Sequence, residues 1–274
     1  MKKIIVPTDF SAVSLNAAHY AMHLAHDIGA SIVLFHAYQV PIAFSEVPVV
    51  TASIDQLQSD SLERLAGLKK DLGHIAAGPT EIILESRMGD VVEELGSVCK
   101  THQPFAVVMG TRGAGALERL ILGSSTLSAI RRIAFPVIVV PPGALYRKIG
   151  RIGFASDLDD VKETTPAKGI ADLVETLGAD LLVLNVEEKE GHFTGDEFME
   201  TRHLYESLDH LNPSYHYIRS IDVAEGIHAF AEANGIDLLM VMPKRHGLIE
   251  GLFRKRQSSE LVLHSHIPVA SIHV

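Results

Sequence analysis

The chain has a single cysteine in 274 residues, Cys99, so no disulfide can form within it. That residue lies in an apolar helical pattern, which suits a buried thiol in a reducing compartment. No uninterrupted apolar run approaches the roughly 18 residues that a membrane-spanning helix needs. The opening Met1–Pro7 stretch meets Pro7, Asp9 and Ser11 too early for the apolar region of a secretory signal. A soluble cytoplasmic protein is the expectation. Basic excess is also missing: the first 146 residues hold 11 Lys+Arg against 13 Asp+Glu, and the remainder 13 against 21. A phosphate-backbone footprint needs the opposite balance, so nucleic acid is not an expected partner. Aromatic residues make up only 6%, but 47% hydrophobic and 21% charged residues are ordinary for a packed protein, and the length suggests two domains.

The positive content begins with alternation. Lys3–Pro7 reads as a buried β-branched strand, and Ser11 caps a helix to Ile28 with Ala17, Ala18, Ala21, Leu24, Ala25 and Ile28 on one apolar face. A strand at Ser31–Ala37, a helix near Asp55–Ala76, a strand at Glu81–Ser86, a helix over Asp90–His102 and a strand at Phe105–Gly110 follow. A short helix after Ser125 and a strand at Pro136–Val140 close the half. This order predicts an α/β, mostly parallel sheet with helices on both faces. Arg151–Asp157 then restarts the pattern, with Asp157 standing 148 residues after Asp9, and Asp180–Asn185, Asp196–Leu211, Val223–Asn234, Leu238–Met242 and Ile267–Ile272 echo the later elements. Leu238–Met242 is aligned here with Phe105–Met109. The chain is thus expected to be one unit written twice, residues 1–146 and 147–274, with the boundary in Tyr146–Gly150.

The richest segment reads Gly110-Thr111-Arg112-Gly113, then nine residues, then Gly123-Ser124-Ser125-Thr126. Glycines at the carboxyl end of a parallel strand let backbone N–H groups approach phosphate oxygens, and Gly123-Ser124 opens a helix whose free amides favour an anion. The hydroxyls of Ser124, Ser125 and Thr126 add donors, and Arg112 is within the same loop. A plainer reading, three glycines shaping a strand-to-helix turn, stays open. No Gly-Lys pair occurs, so there is no Walker A loop, and Glu118 breaks a dinucleotide fingerprint begun at Gly113.

Pro7-Thr8-Asp9-Phe10-Ser11 at the end of the first strand, joined with Gly-x2-Gly-x9-Gly-Ser after the fourth, resembles the ATP-binding universal stress proteins, as a tandem pair over essentially the whole chain. The resemblance implies two doubly wound, Rossmann-like domains of the adenine nucleotide alpha hydrolase-like type, packed as a pseudo-dimer through their last strands. It implies Asp9, with Pro7 and Thr8, beside the nucleoside and the backbone of His36-Ala37 at adenine. Gly110, Arg112 and Gly113 fall near ribose and α-phosphate, and Gly123, Ser124, Ser125 and Thr126 near the later phosphates, with Mg²⁺ accompanying ATP. Asp9 also has a structural role open to it, capping the next helix or fixing the Thr8–Ser11 turn.

In the second unit the corresponding loop reads Pro243-Lys244-Arg245-His246 and Arg256-Gln257-Ser258-Ser259, with every motif glycine replaced, so no ATP is expected there. The basic group Lys244, Arg245, Arg254, Lys255 and Arg256 reads as a solvated loop, with an anionic ligand or the other copy as the alternative, and the histidine sets His19/His23/His26 and His264/His266/His273 leave metal open but match no specific ligand spacing. Val40–Ile54 has the length and apolar content of a lid or contact surface. A regulatory ATP-binding protein of the stress response is the leading expectation. A slow ATPase or nucleotidyl-handling enzyme and a structural or chaperone-like protein are the alternatives. No Ser-His-Asp order, paired carboxylates or P-loop lysine supports catalysis beyond weak hydrolysis. The protein partner and any further association of whole chains are not written in the sequence.

Overall fold

The computed structural model describes residues 1–40, 53–75, 78, 80–111, 123–158, 160–187, 195–242 and 267–273. The first half runs β1 (Lys3–Pro7), α1 (Ala12–Ile28), β2 (Ser31–Tyr38), α2 (Ile54–Gly73), β3 (Ile82–Met88), α3 (Val91–His102), β4 (Ala106–Gly110), α4 (Ser124–Arg132) and β5 (Val137–Val140). The second runs β6 (Arg151–Ala155), α5 (Val161–Thr164), α6 (Ala167–Leu177), β7 (Asp180–Glu187), α7 (Gly195–Leu208), a 3₁₀ turn, β8 (Ser214–Arg219), α8 (Val223–Ala233), β9 (Leu238–Val241) and β10 (Val269–Ser271). The elements expected from the sequence are present within a few residues. Helix α6 and strand β8 are additions: Pro166 interrupts what is one continuous helix in the first half, and β8 mixes exposed and half-buried positions with no apolar run to mark it.

The strands form a single sheet in the order β3-β2-β1-β4-β5-β10-β9-β6-β7-β8. Every neighbouring pair is parallel except β5 with β10, where Val139, Ile138 and Val137 oppose Val269, Ala270 and Ser271 antiparallel. The two halves are therefore related by a pseudo-two-fold axis normal to the sheet. The expected pairing of the two last strands is what joins them. Ile138 and Ala270 are fully buried at this seam. One apolar layer, carrying α1, α2, α6 and α7, and a second, carrying α3, α4 and α8, each run unbroken across it.

Local chemistry is duplicated with the fold. The α1 face foreseen in the sequence is the buried one, and its alanines, Ala17, Ala18, Ala21 and Ala25, let the helix lie close on the sheet. Asp90 caps α3 by accepting from the N–H groups of Val92 and Glu93, and Asp222, 132 residues later, caps α8 from Ala224 and Glu225. Cys99 is buried in α3, and burial pushes its thiol up to about 12. Asp90→Ala and Asp222→Ala are expected to cost the protein similar amounts, each about 0.5–2 kcal/mol. Urea unfolding measures both, and a change in one without the other would contradict the equivalence of the two caps.

Candidate functional site

In each half the chain leaves the first strand one way and returns on the other side. In the first half this places β1 between β2 and β4, in parallel register at Pro7–Phe35 and Ile5–Val107. In such sheets the crevice outside the carboxyl ends of the strands, where the strand order reverses, is where ligands settle. Carrying the register forward brings Thr8, His36 and Gly110 side by side on that edge.

The turn after β1 is unusual. Phe10 adopts a left-handed backbone, φ 62°, which costs a bulky residue about 1–3 kcal/mol unless its surroundings enforce it. They do so here. The Thr8 hydroxyl accepts from the Phe10 N–H at 3.0 Å, an Asp9 carboxylate oxygen accepts from the Ser11 N–H at 3.0 Å, and Ser11 caps α1 by accepting from Ser14. The Thr8 N–H donates to the Phe35 carbonyl at 2.8 Å. Of the two structural roles open to Asp9, fixing the turn is the one it performs, and its side chain stands at the exposed rim.

His36 was named in the sequence only for its backbone, yet its side chain organises this edge. Its Nδ1–H donates to the Thr8 carbonyl at 2.7 Å. Its ring lies 4.7 Å from that of Phe10, whose other neighbour is the Arg64 guanidinium of α2 at 3.9 Å. Burial holds the imidazole below its ordinary pKa. The Thr8 hydrogen bond and Asp9 oppose that shift, and Arg64 reinforces it. The second half repeats the arrangement with other side chains: Leu158 has φ 54°, its N–H reaches the Ser156 hydroxyl at 3.3 Å, and Asn185 donates to the Ser156 carbonyl at 3.0 Å. This tether was not foreseen in the sequence; the signal that could have found it is a polar residue, His36 or Asn185, at the end of the second strand in both copies.

From the other side of the crevice, Gly123 donates to the Thr111 carbonyl at 2.7 Å and Thr126 donates to the Gly110 carbonyl at 2.9 Å, drawing the start of α4 onto the end of β4. Thr126 is thus buried and turned inward, whereas Ser124 and Ser125 are exposed. Helices α1, α2 and α3 are each capped by a side chain, and among the described residues α4 is not. Gly110 has a packing reason to be glycine, because a Cβ there would lie 2.6 Å from Val13 Cγ1 and 2.9 Å from the Val13 carbonyl oxygen. Pro7 is buried in β1 and Ala37 is half-buried at the end of β2. The structure therefore gathers Pro7, Thr8, Asp9, Ala37, Gly110, Gly123, Ser124, Ser125 and Thr126 on one edge. Arg112 and Gly113 lie outside the described residues, as do 41–52 of the Val40–Ile54 segment and residues 243–266 with the second loop, its basic group, His264 and His266.

One alignment from the sequence needs correcting. Ile4 pairs with Ala106 and Ile152 with Leu238, while Val107–Val137 matches Leu239–Val269. The offset between copies is thus 132 residues on both strands, so Phe105 aligns with Asp237, one residue earlier than the sequence suggested, and Gly110 corresponds to buried Met242 rather than Pro243. Strand register within each half overrides the apolar likeness on which that alignment rests. Of the histidine sets noted in the sequence, His23 stacks its ring on Tyr146 and His273 donates to the Ile130 carbonyl.

The sequence model of the universal stress protein family matches residues 1–141 and 186–273. The chain belongs to the universal stress protein family. Among curated proteins it is similar to a universal stress protein of Methanocaldococcus jannaschii, 28% identical over 145 residues that make up 51% of this chain and 81% of that one. A universal stress protein of Thermus aquaticus is 24% identical over 146 residues, 51% of this chain and 98% of its own. A crystal structure of a universal stress protein from Archaeoglobus fulgidus shares the fold over 99% of this chain and 96% of its own, at TM-score 0.71 and 18% identity. Universal stress protein halves thus repeat within one chain, each with its own crevice. Because β5 and β10 are antiparallel, the two crevices open on opposite edges of the sheet.

The lowered His36 pKa has a sign. Below about pH 6.5 the unfolded chain binds a proton that the folded imidazole resists, so stability contributed above that pH is lost on acidification. His36→Asn keeps a donor for the Thr8 carbonyl, as Asn185 does in the other half, and removes this titration. The variant is expected to lose less stability than the parent between about pH 7.5 and about pH 5.5 in urea unfolding. Equal losses would assign the acid sensitivity to other groups.

Proposed function

We propose that the first half binds an adenine nucleotide, ATP with Mg²⁺, in the crevice between β1 and β4, and that the protein serves the stress response as a nucleotide-dependent regulator. The observation that carries this reading is the convergence of the Thr8–Ser11 turn, the end of β2 and the opening of α4 at the point where the strand order reverses. The start of α4 suits the phosphates. Its first N–H groups have no side-chain cap, and Ser124 and Ser125 expose hydroxyl donors beside them. Asp9, held at the rim by the Ser11 N–H, supports a role at the nucleoside end. Arg112 and Gly113 complete the loop in the sequence.

The second crevice suits an anion less. Met242 fills the position of Gly110, and α7 sends the Glu200 carboxylate to the Val161 N–H at 2.7 Å, where α5 opens. The Glu200 carboxylate thus adds negative charge beside the end of β9, which disfavours a polyphosphate there. We therefore expect one ATP per chain.

Calorimetric titration of nucleotide-stripped protein with Mg-ATP tests both statements. A stoichiometry of one is expected, and loss of binding in a Gly123→Leu variant with unchanged circular dichroism. Two sites per chain would overturn the assignment to the first half, and no binding would overturn the nucleotide reading itself.

A further inference from the structure

Helix α4 has only nine residues, a length at which an isolated helix is marginal in water. Its N-terminus forms one wall of the crevice, and its final carbonyls need partners from outside. The Ala129 carbonyl accepts from the Ile133 N–H at 2.9 Å. The Ile130 carbonyl is served by the other half of the chain: His273, two residues beyond β10, donates its Nε2–H to it at 2.6 Å. A carbonyl only accepts, so the imidazole is the donor. His273 is half-buried and its backbone is fixed, because β10 lies between β5 and β9 and the Ile272 N–H bonds to the Val241 carbonyl at 3.1 Å.

The first half has no matching donor side chain at the equivalent position. By the 132-residue offset, the position of His273 in the first half is Pro141, whose side chain has no hydrogen-bond donor. The Pro141 carbonyl is occupied in turn by the Asn16 amide at 3.2 Å. The half that kept the glycines receives the brace, and the half that lost them supplies it.

We propose that His273 is a positioning residue for the crevice of the first half: by closing the C-terminal end of α4 it holds that short helix in the register that presents Ser124 and Ser125. The second half is then retained as a brace for its partner's phosphate helix. This rests on the nucleotide reading above.

The test uses the full chain with His273→Ala and with His273→Gln, whose amide restores a donor. Two readouts are taken: Mg-ATP affinity by calorimetry, and hydrogen exchange of the α4 amides without nucleotide. In the alanine variant, affinity is expected to fall about 2- to 10-fold and α4 exchange to accelerate by a similar factor, the effect of one lost hydrogen bond, with glutamine recovering most of both. Unchanged α4 exchange in His273→Ala would overturn the brace. Faster exchange with unchanged affinity would overturn the positioning role, as would a glutamine variant that behaves like alanine. If the parent protein binds no ATP, the nucleotide reading falls and with it the positioning role, while the exchange measurement still decides whether the brace exists.

Discussion

The antiparallel pairing of β5 with β10 is the constraint on which the rest of the molecule hangs. Each half alone would present an apolar edge strand, Val137–Val140 or Val269–Ser271, with a free row of backbone donors and acceptors. Joining the two edges removes both liabilities and merges two five-stranded sheets into one of ten. The apolar layers above and below then continue across the seam. The pairing also sends the two crevices to opposite edges and carries His273 to the end of α4.

Divergence between the copies follows a physical division. The left-handed turn after the first strand survives in both, with Thr8 or Ser156 accepting from the residue two positions on and His36 or Asn185 tethering the preceding carbonyl. That turn is how the chain leaves the sheet and enters the next helix, so any copy that folds this way needs it. The glycines answer to a narrower demand. Gly110 makes room for the backbone of Val13, and the second half meets the same junction differently, with a helix broken at Pro166 and with Glu200 bound to the Val161 N–H. With the helix entry arranged in this way, the second half accommodates buried Met242 where the first has Gly110.

Much of this was legible in the sequence, because the signals are local and periodic. Buried parallel strands read as β-branched runs, α1 shows its apolar stripe, Ser11 and Asp90 announce helix starts, and the repeat is visible in Asp9 and Asp157. The glycine and serine positions of the candidate site were legible for the same reason, since they depend on backbone conformation at fixed offsets. Strand β8 was not, because a half-exposed edge carries little apolar periodicity, and neither was the break before α6, where Pro166 interrupts an otherwise continuous helical stripe.

By itself, then, the sequence determined the family, the α/β alternation, the duplication and the half that retains the glycine loop. These are matters of residue type and spacing along the chain. Only the tertiary structure decided the register between the copies, the ring of His36 clasping the Thr8 carbonyl beneath Phe10, the inward turn of Thr126, and the contact of His273 with α4. Each of these joins residues that are distant in the chain, by up to 143 positions for His273 and Ile130, and rests on strand register or on the direction of one side chain. Neither leaves a periodic trace in the sequence.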